Sequence, residues 1–294
     1  MISRPTSRFG AGRLRGVPEV YSANTDPRLD VPLPPSVSDR ARVAHSVMDG
    51  AGHVLVLGVP ITLCSFAQAV RRVHDMISTG GSHHVVLANA HTLNLGCDDA
   101  AYRGVLREAD IVLRDGAGVE LAVRLAGRDA GHNFVGTDFV PALLEALAPS
   151  EVRVFLFGAE PGVAERAGRV LRARARNVRV VGVAPGYGAF APVAARVRVA
   201  RPHILLVALG NPAQERWIHE HREQLGVPVS IGVGALFDYL AGRVQRAPRW
   251  MLRLRAEWLF RLVVEPQRLW RRYLMGNPRF VVRVLRSRGG TSAE

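Results

Sequence analysis

The sequence contains no lysine, only two cysteines and no long uninterrupted apolar segment. Cys64 and Cys97 form neither a disulfide framework nor a metal-ligand spacing, so we expect both to be structural thiols. No stretch approaches the roughly 18 apolar residues of a membrane-spanning helix, and the N-terminal residues lack the apolar run of a secretory signal. These absences argue against integral membrane proteins and disulfide-rich secreted domains, and they predict a cytoplasmic protein.

Ligands for a metal ion are also missing from the sequence. No Asp-x-Asp triplet occurs, and no cluster of His, Cys, Asp and Glu has metal-ligand spacing. We therefore expect neither a metal ion nor another cofactor. A bound diphosphate would have to be neutralised by arginine, whose planar guanidinium binds two oxygens at once.

Positive charge is abundant and unevenly placed. All 39 basic residues are arginine, the net charge is +14, and thirteen arginines against three glutamates lie from Ala241 onward. Such a basic module is typical of proteins that bind nucleic acid, an anionic membrane surface or a phosphorylated substrate, and charge alone leaves the three open.

Composition divides the chain into three regions. Residues 1–50 are rich in Arg, Pro and Ser and predict a flexible leader with a short helix near Val37–Met48. Residues 51–242 alternate short apolar runs with segments of helical period, which predicts an α/β fold with a Rossmann-like, mainly parallel sheet and helices on both faces. Residues 243–294 predict an Arg-rich helical appendage.

Seven apolar runs predict the strands, at His53–Leu57, His84–Ala88, Ile111–Leu113, Val152–Phe157, Val178–Val183, Ile204–Leu209 and Val229–Val233. Six segments with a 3.6-residue period predict helices, at Ser65–Ser78, Ala100–Glu108, Val119–Leu125, Phe139–Leu147, Gly162–Arg174 and Pro212–Leu225.

Polar residues follow several of these strands, and ligands of parallel sheets bind beyond the carboxyl ends of the strands. Asp115 is placed either to accept the proton of an attacking hydroxyl or to cap the helix from Val119. His91 is either a ligand contact or a histidine bonded to backbone. In the turn from Gly210, Asn211 can cap the next helix, with Pro212 in its first turn.

Two further features leave alternatives open. The glycine-rich turn Gly158–Gly162 is either a phosphate site or simply a sterically demanding strand-to-helix turn. Aromatic and apolar residues recur at helical spacing over Arg249–Val264 and Leu269–Leu274, among many arginines. That mixture is typical of helices that lie on a membrane surface, with packing on the core as the alternative. Exposed apolar faces there would also favour a homo-oligomer.

Several ordered segments follow one known pattern, namely Asn89–Asn94, Ala109–Gly116, Val135–Asp138, Leu209–Ile218, Ile231–Asp238, Gly242–Pro248, Glu257–Leu262 and Glu265–Pro266. Together they run from about Val54 to Phe280 and resemble the WecG/TagA/CpsF family, glycosyltransferase family 26. The resemblance implies an inverting, metal-independent transfer of N-acetylmannosamine, its uronic acid or glucose from a UDP-sugar donor. The implied acceptor is an undecaprenyl-diphosphate-linked sugar at the inner face of the cell membrane, in polysaccharide synthesis.

The resemblance also assigns residues. Asp115 matches the proposed catalytic base of the family. Substrate binding is predicted for residues in or beside the matching motifs: Asn89, His91, Thr137, Asp138, Gln214, Glu215, Arg261, Arg268 and Arg271. The three arginines of this set match tail arginines that fold over the site and contact the donor diphosphate.

Two positions depart from the family pattern. Asn133 stands where members usually carry arginine, three residues before Gly136, and Leu87 stands where threonine is frequent. Arg114 or Arg128 is a candidate replacement for the missing arginine.

Two other classes of function fit less of the sequence. A nucleic-acid-binding α/β protein would use the arginine-rich tail, but no helix-turn-helix or RNA-binding motif occurs, and we expect no nucleic-acid partner. A dinucleotide-dependent oxidoreductase would need a Gly-x-Gly-x-x-Gly turn after the first strand, which is absent.

Overall fold

Eight strands form one sheet in the order β1-β2-β4-β3-β8-β7-β5-β6. The strands are His53–Val56 (β1), Val59–Thr62 (β2), His83–Ala88 (β3), Ile111–Arg114 (β4), Val152–Gly158 (β5), Val178–Ala184 (β6), Ile204–Ala208 (β7) and Val229–Gly232 (β8). The computed structural model describes residues 52–147, 151–187, 190–248, 251 and 257–289. All seven predicted strands are confirmed, each to within one residue at either end.

The eighth strand, β2, was not predicted. It pairs antiparallel with β1, whereas all the other strand pairs in the sheet are parallel. Leu57 and Gly58 join β1 to β2 with φ of 52° and 79°, the backbone form of a tight hairpin turn. Pro60 lies within β2, and β2 meets β4 in register only at Thr62. A proline is tolerated there because little of the strand needs a donor on that side.

Helices cover both faces of the sheet. Those before the tail are Phe66–Thr79 (α1), Ala90–Asp98 (α2), Ala100–Arg107 (α3), Ala117–Leu125 (α4), Gly136–Ala146 (α5), Val163–Arg174 (α6), Ala191–Ala200 (α7), Ala213–Leu225 (α8) and Leu236–Leu240 (α9). The six predicted helices are confirmed to within three residues, whereas α2, α7 and α9 were not predicted. The helix predicted near Val37–Met48 lies outside the described residues.

Strand residues alternate between the two faces. Val85 and Leu87 of β3 belong to the cluster that also buries side chains of α1, α5 and α6, whereas Val86 and Ala88 belong to the opposite one. Burial on both faces explains why the central strands are continuous apolar runs, as expected for a parallel sheet. The predicted α/β fold with a Rossmann-like sheet is confirmed.

The tail comprises Glu257–Val264 (α10), Pro266–Trp270 (α11), a π-helix at Arg271–Met275, and Gly276–Gly289 (α12). Phe280 and Val284 of α12 are 1% and 5% exposed and belong to the same cluster as Leu93 and Val119. The last helix therefore packs on the core. The domain boundary at residue 242 stays a prediction. Among the described residues, no helix is both long enough and apolar enough to span a membrane.

Candidate active site

Asp115 and Asn89 follow paired strands in the middle of the sheet. Ala88 of β3 is in register with Arg114 of β4, so the next residue of each strand lies at the same level, with the chains about 5 Å apart. The backbone N–H of Asp115 donates to the carbonyl of Ala88 at 2.7 Å. A carboxyl and a carboxamide thus stand side by side at the carboxyl end of the sheet.

The capping alternative for Asp115 is wrong. Helix α4 begins at Ala117, and its N-cap residue is Gly116 with φ of 88°. Glycine adopts this left-handed conformation without strain, which lets the chain turn sharply after Asp115. Asp115 is therefore not the N-cap residue of α4.

Arg114 precedes Asp115 and is used inside the protein. Its guanidinium donates to the carbonyls of Ala130 (Nε, 2.6 Å) and Gly131 (Nη2, 2.8 Å), and it pairs with Glu120 at 3.2 Å. The side chain is 5% exposed, so these bonds compensate for burial of its charge. Arg114 is therefore a structural residue, and Arg128 is the exposed one of the two candidate replacements.

Asn89 begins helix α2. Its Oδ1 accepts from the backbone N–H groups of His91 at 3.0 Å and Thr92 at 3.2 Å, an N-cap that leaves the amide NH2 for other contacts. Burial, and next the positive charge of Arg272, lower the pKa of His91 to about 4. His91 is thus a neutral hydrogen-bonding group near pH 7, and a tail arginine lies near the start of α2.

Thr137 and Asp138 occupy the first turn of α5. The Oγ1 of Thr137 is buried and has no hydrogen-bond partner among the described residues. Buried hydroxyls nearly always have a partner, so a ligand or water is expected at this atom. A Cβ on the adjacent Gly136 would lie 3.2 Å from Cδ1 of Leu87, which places this turn beside the end of β3. Asp138 is exposed and pairs with Arg246.

Gln214 and Glu215 are buried in a hydrogen-bond network below the edge of the sheet at which the parallel strands end, which we call the rim. The Oε1 of Gln214 accepts from the backbone of Gly210 at 3.2 Å and of Gly234 at 3.0 Å, which ties the loops after β7 and β8 together. Glu215 accepts from Gln214 and Asn211, both at 2.7 Å. The predicted substrate contacts of Gln214 and Glu215 stay predictions.

The predicted cap at Asn211 is wrong. Pro212 is the N-cap residue of α8 and no side chain caps the helix. Asn211 instead donates to Glu215, which also accepts from the hydroxyl of Tyr102 at 3.0 Å. Burial raises the pKa of Glu215 to about 7, so this carboxyl changes protonation near neutral pH. The role of Tyr102, contributed by a helix distant in sequence, left no signal in the sequence.

Arginines of the tail lie on aromatic rings. The guanidinium of Arg261 lies 5.4 Å from the ring centre of Tyr239 in α9, and that of Arg271 lies 5.3 Å from the ring centre of Trp270. Such contacts orient a cation without neutralising it. The side chain of Arg268 is outside the described residues. Arg272, absent from the predicted set, lies near His91 and lowers its pKa.

Metal binding has no visible basis in the part of the chain that the structure describes. No three His, Cys, Asp or Glu residues there are grouped so that they could hold a metal ion. Metal independence stays a prediction.

Comparison with known proteins finds a family that matches most of this chain. Residues 54–294 match the family described as Glycosyl transferase WecG/TagA/CpsF. The chain is 35% identical to a protein of Bacillus subtilis strain 168 over 189 residues, 64% of this chain and 73% of that protein. It is 34% identical to a protein of Bacillus spizizenii over 204 residues, 69% of this chain and 78% of that protein.

A more distant relative covers more of its own length. A protein of Staphylococcus aureus strain NCTC 8325 is 26% identical over 239 residues, 79% of this chain and 92% of that protein. All three relatives are named N-acetylglucosaminyldiphosphoundecaprenol N-acetyl-β-D-mannosaminyltransferase. With the family match extending over the sheet, the rim and the tail, this chain belongs to the WecG/TagA/CpsF family of glycosyltransferases.

Proposed function

We propose that this glycosyltransferase moves N-acetylmannosamine from its UDP-linked form to an N-acetylglucosaminyl-diphosphoundecaprenol acceptor, with inversion at the anomeric carbon. The names of the three relatives support this donor sugar and this acceptor. The uronic acid of N-acetylmannosamine and glucose are the other donors that we consider. The nucleic-acid alternative has no support from the relatives.

The placement of Asp115 carries the proposal. Its carboxyl stands at the carboxyl end of β4, beside Asn89 and before a glycine turn, and the N-cap residue of α4 is Gly116 rather than Asp115. In a single displacement, a carboxylate base removes the proton of the acceptor hydroxyl while the oxygen attacks the anomeric carbon. The bond to UDP breaks on the opposite face and its electrons pass to the diphosphate, which inverts the configuration.

The leaving diphosphate needs positive charge and hydrogen-bond donors. Arg261, Arg271 and Arg272 of the tail supply the charge in this proposal, and the buried hydroxyl of Thr137 supplies a donor at the start of α5. Preorganised groups of this kind stabilise charge that develops in the transition state. A site completed by tail arginines would also exclude water from the donor.

We further propose that the tail binds the inner surface of the cell membrane. Nine of the fourteen large apolar side chains that are exposed among the described residues lie in the tail, and Trp270, Leu274 and Met275 are three of them. Apolar and aromatic residues among arginines suit the interface of an anionic membrane, where the lipid-linked acceptor resides. Self-association is the other way to cover these side chains.

A transfer assay tests the proposed reaction. Purified protein would be given UDP-N-acetylmannosamine, its uronic acid, UDP-glucose or UDP-N-acetylglucosamine with a short-chain prenyl-diphosphate N-acetylglucosamine, in EDTA. We expect UDP release and product with the first donor, and NMR of the new linkage should show the anomeric configuration opposite to that in the donor. Loss of transfer in EDTA would contradict metal independence, and no transfer from any donor would contradict the proposed reaction.

A further inference from the structure

Asn133 touches the turn that carries Asp115. Its Oδ1 accepts from the backbone N–H of Gly116 at 2.8 Å and from Nη1 of Arg114 at 3.3 Å. One side-chain oxygen therefore binds the residue before Asp115 and the residue after it. Asn133 itself is exposed, so these contacts do not result from close packing in the core.

The turn is held from three directions. The N–H of Asp115 donates to Ala88 at 2.7 Å, and the N–H of Phe134 donates to the carbonyl of Arg114 at 3.0 Å. These backbone bonds fix the end of β4 but not the peptide that follows Asp115. The bond from Gly116 to Asn133 fixes that peptide. The φ of Gly116 is 88°, a backbone conformation that residues other than glycine rarely adopt.

We infer that Asn133 is a positioning residue, which aims the Asp115 carboxylate by accepting the Gly116 N–H. The inference rests on the proposed role of Asp115 as base. The family resemblance places arginine at this position, and a guanidinium has five donors and no acceptor. Arginine could therefore not accept from Gly116, and it would bring a second positive charge beside Arg114.

Three substitutions separate this role from a direct contact with the donor. Asn133→Ala removes the acceptor, Asn133→Asp keeps an acceptor oxygen, and Asn133→Arg restores the usual family residue. We expect kcat to fall about 10- to 100-fold for Asn133→Ala, with the donor KM within about twofold of wild type, because small misplacements of a reacting group have effects of this size. Asn133→Asp should recover kcat to within about fivefold, and Asn133→Arg should be no better than Asn133→Ala.

A matched control is Asn177→Ala. Asn177 donates one side-chain hydrogen bond to the carbonyl of Leu144 at 3.0 Å, just before β6 and away from the rim. Its loss should lower thermal stability about as much as the loss at Asn133 and leave kcat unchanged. Hydrogen exchange in the peptide containing Gly116 should accelerate in Asn133→Ala and not in the control, since its amide loses its acceptor.

The outcomes distinguish this inference from the proposed function. If Asp115→Asn is inactive in the same assay while Asn133→Ala retains full kcat, the positioning role is wrong and the base survives. If Asn133→Ala raises the donor KM and leaves kcat unchanged, Asn133 contacts the donor and the inference is overturned. Full activity in Asp115→Asn would overturn the proposed base itself.

Discussion

The rim around β3 and β4 and the tail differ in how their polar groups are held. At the rim, Asn89 and Arg114 each make two hydrogen bonds to backbone, and Gln214 below the rim makes two more. In the tail, Arg271 lies on the ring of Trp270 and both are exposed. The difference suggests a division of labour, in which the sheet fixes the reacting groups and the tail offers charge and apolar surface.

The tail is itself divided. Its last helix is attached to α2, where Nδ2 of Asn94 donates to the carbonyl of Gly276 at 2.7 Å and Arg279 pairs with Asp98 at 2.9 Å. Truncation before this helix would uncover the core residues that Phe280 covers. Point substitutions are therefore the better test of what the tail does.

The largest effect on stability should come from a substitution in helix α12, the part of the tail that packs on the core. We expect Phe280→Ala to lower the free energy of unfolding by about 3–5 kcal/mol, because it leaves a cavity beneath α12. Val282, on the same helix and 45% exposed, is the matched control, and Val282→Ala should change stability by about 0.5 kcal/mol or less. Urea unfolding measures both. Equal effects would show that α12 is not part of the core.

The buried rim network predicts a pH-dependent stability. The pKa of Glu215 is raised by burial to about 7, above the ordinary value of 4.5. Its neutral form is favoured in the fold, so its contribution is complete below pH 4.5 and is lost as the pH rises through 7, on the order of 3 kcal/mol in all. Glu215→Gln cannot ionise and mimics the neutral acid.

The free energy of unfolding of wild type and of Glu215→Gln, measured across pH 4.5–8, tests this effect directly. We expect similar stability near pH 4.5 and a more stable variant at pH 8. A constant difference across the range would mean that Glu215 does not titrate there.

A smaller effect is expected when the exposed apolar side chains of the tail that we propose to bind the membrane are replaced. Replacing Trp270, Leu274 and Met275 with serine should weaken binding to phosphatidylglycerol vesicles by about tenfold, roughly 1.4 kcal/mol. Leu55→Ser is the control, because Leu55 is 70% exposed on β1. If the triple variant binds vesicles normally but changes from dimer to monomer, the apolar surface serves self-association.

The smallest effect should come from the exposed ion pair between Arg246 and Asp138. Surface pairs contribute about 0.2–1 kcal/mol, so Arg246→Ala should alter unfolding in urea by no more than that, and less at high salt. A loss of more than about 2 kcal/mol in the free energy of unfolding would show that this ion pair contributes far more than an exposed pair does.

Much of the fold follows from local patterns in the sequence. Continuous apolar runs such as Ile204–Ala208 identify strands buried on both faces. β2 was missed because Val59–Thr62 is short, contains a proline and depends on a hairpin with β1. Helix α2 was missed because it begins with the polar residues Asn89, His91 and Thr92, whose capping bonds appear only in three dimensions.

The site was predictable where it depends on strand ends and not where it depends on distant contacts. Asp115 and Asn89 follow their strands directly, so their adjacency follows from the parallel register. The contact between Asn133 and Gly116 joins residues 17 apart, separated by helix α4 and the loop that follows it. No periodicity records such a contact. The bond from Tyr102 to Glu215 spans 113 residues and is equally invisible in the sequence.

The role of Asp115 as base is tested most directly by transfer kinetics of Asp115→Asn, together with UDP binding and thermal unfolding. This change keeps the shape of the side chain and removes its basicity. The account predicts that kcat falls about 10²- to 10⁴-fold while UDP affinity and unfolding stay near wild type. Transfer at the wild-type rate by Asp115→Asn would contradict it.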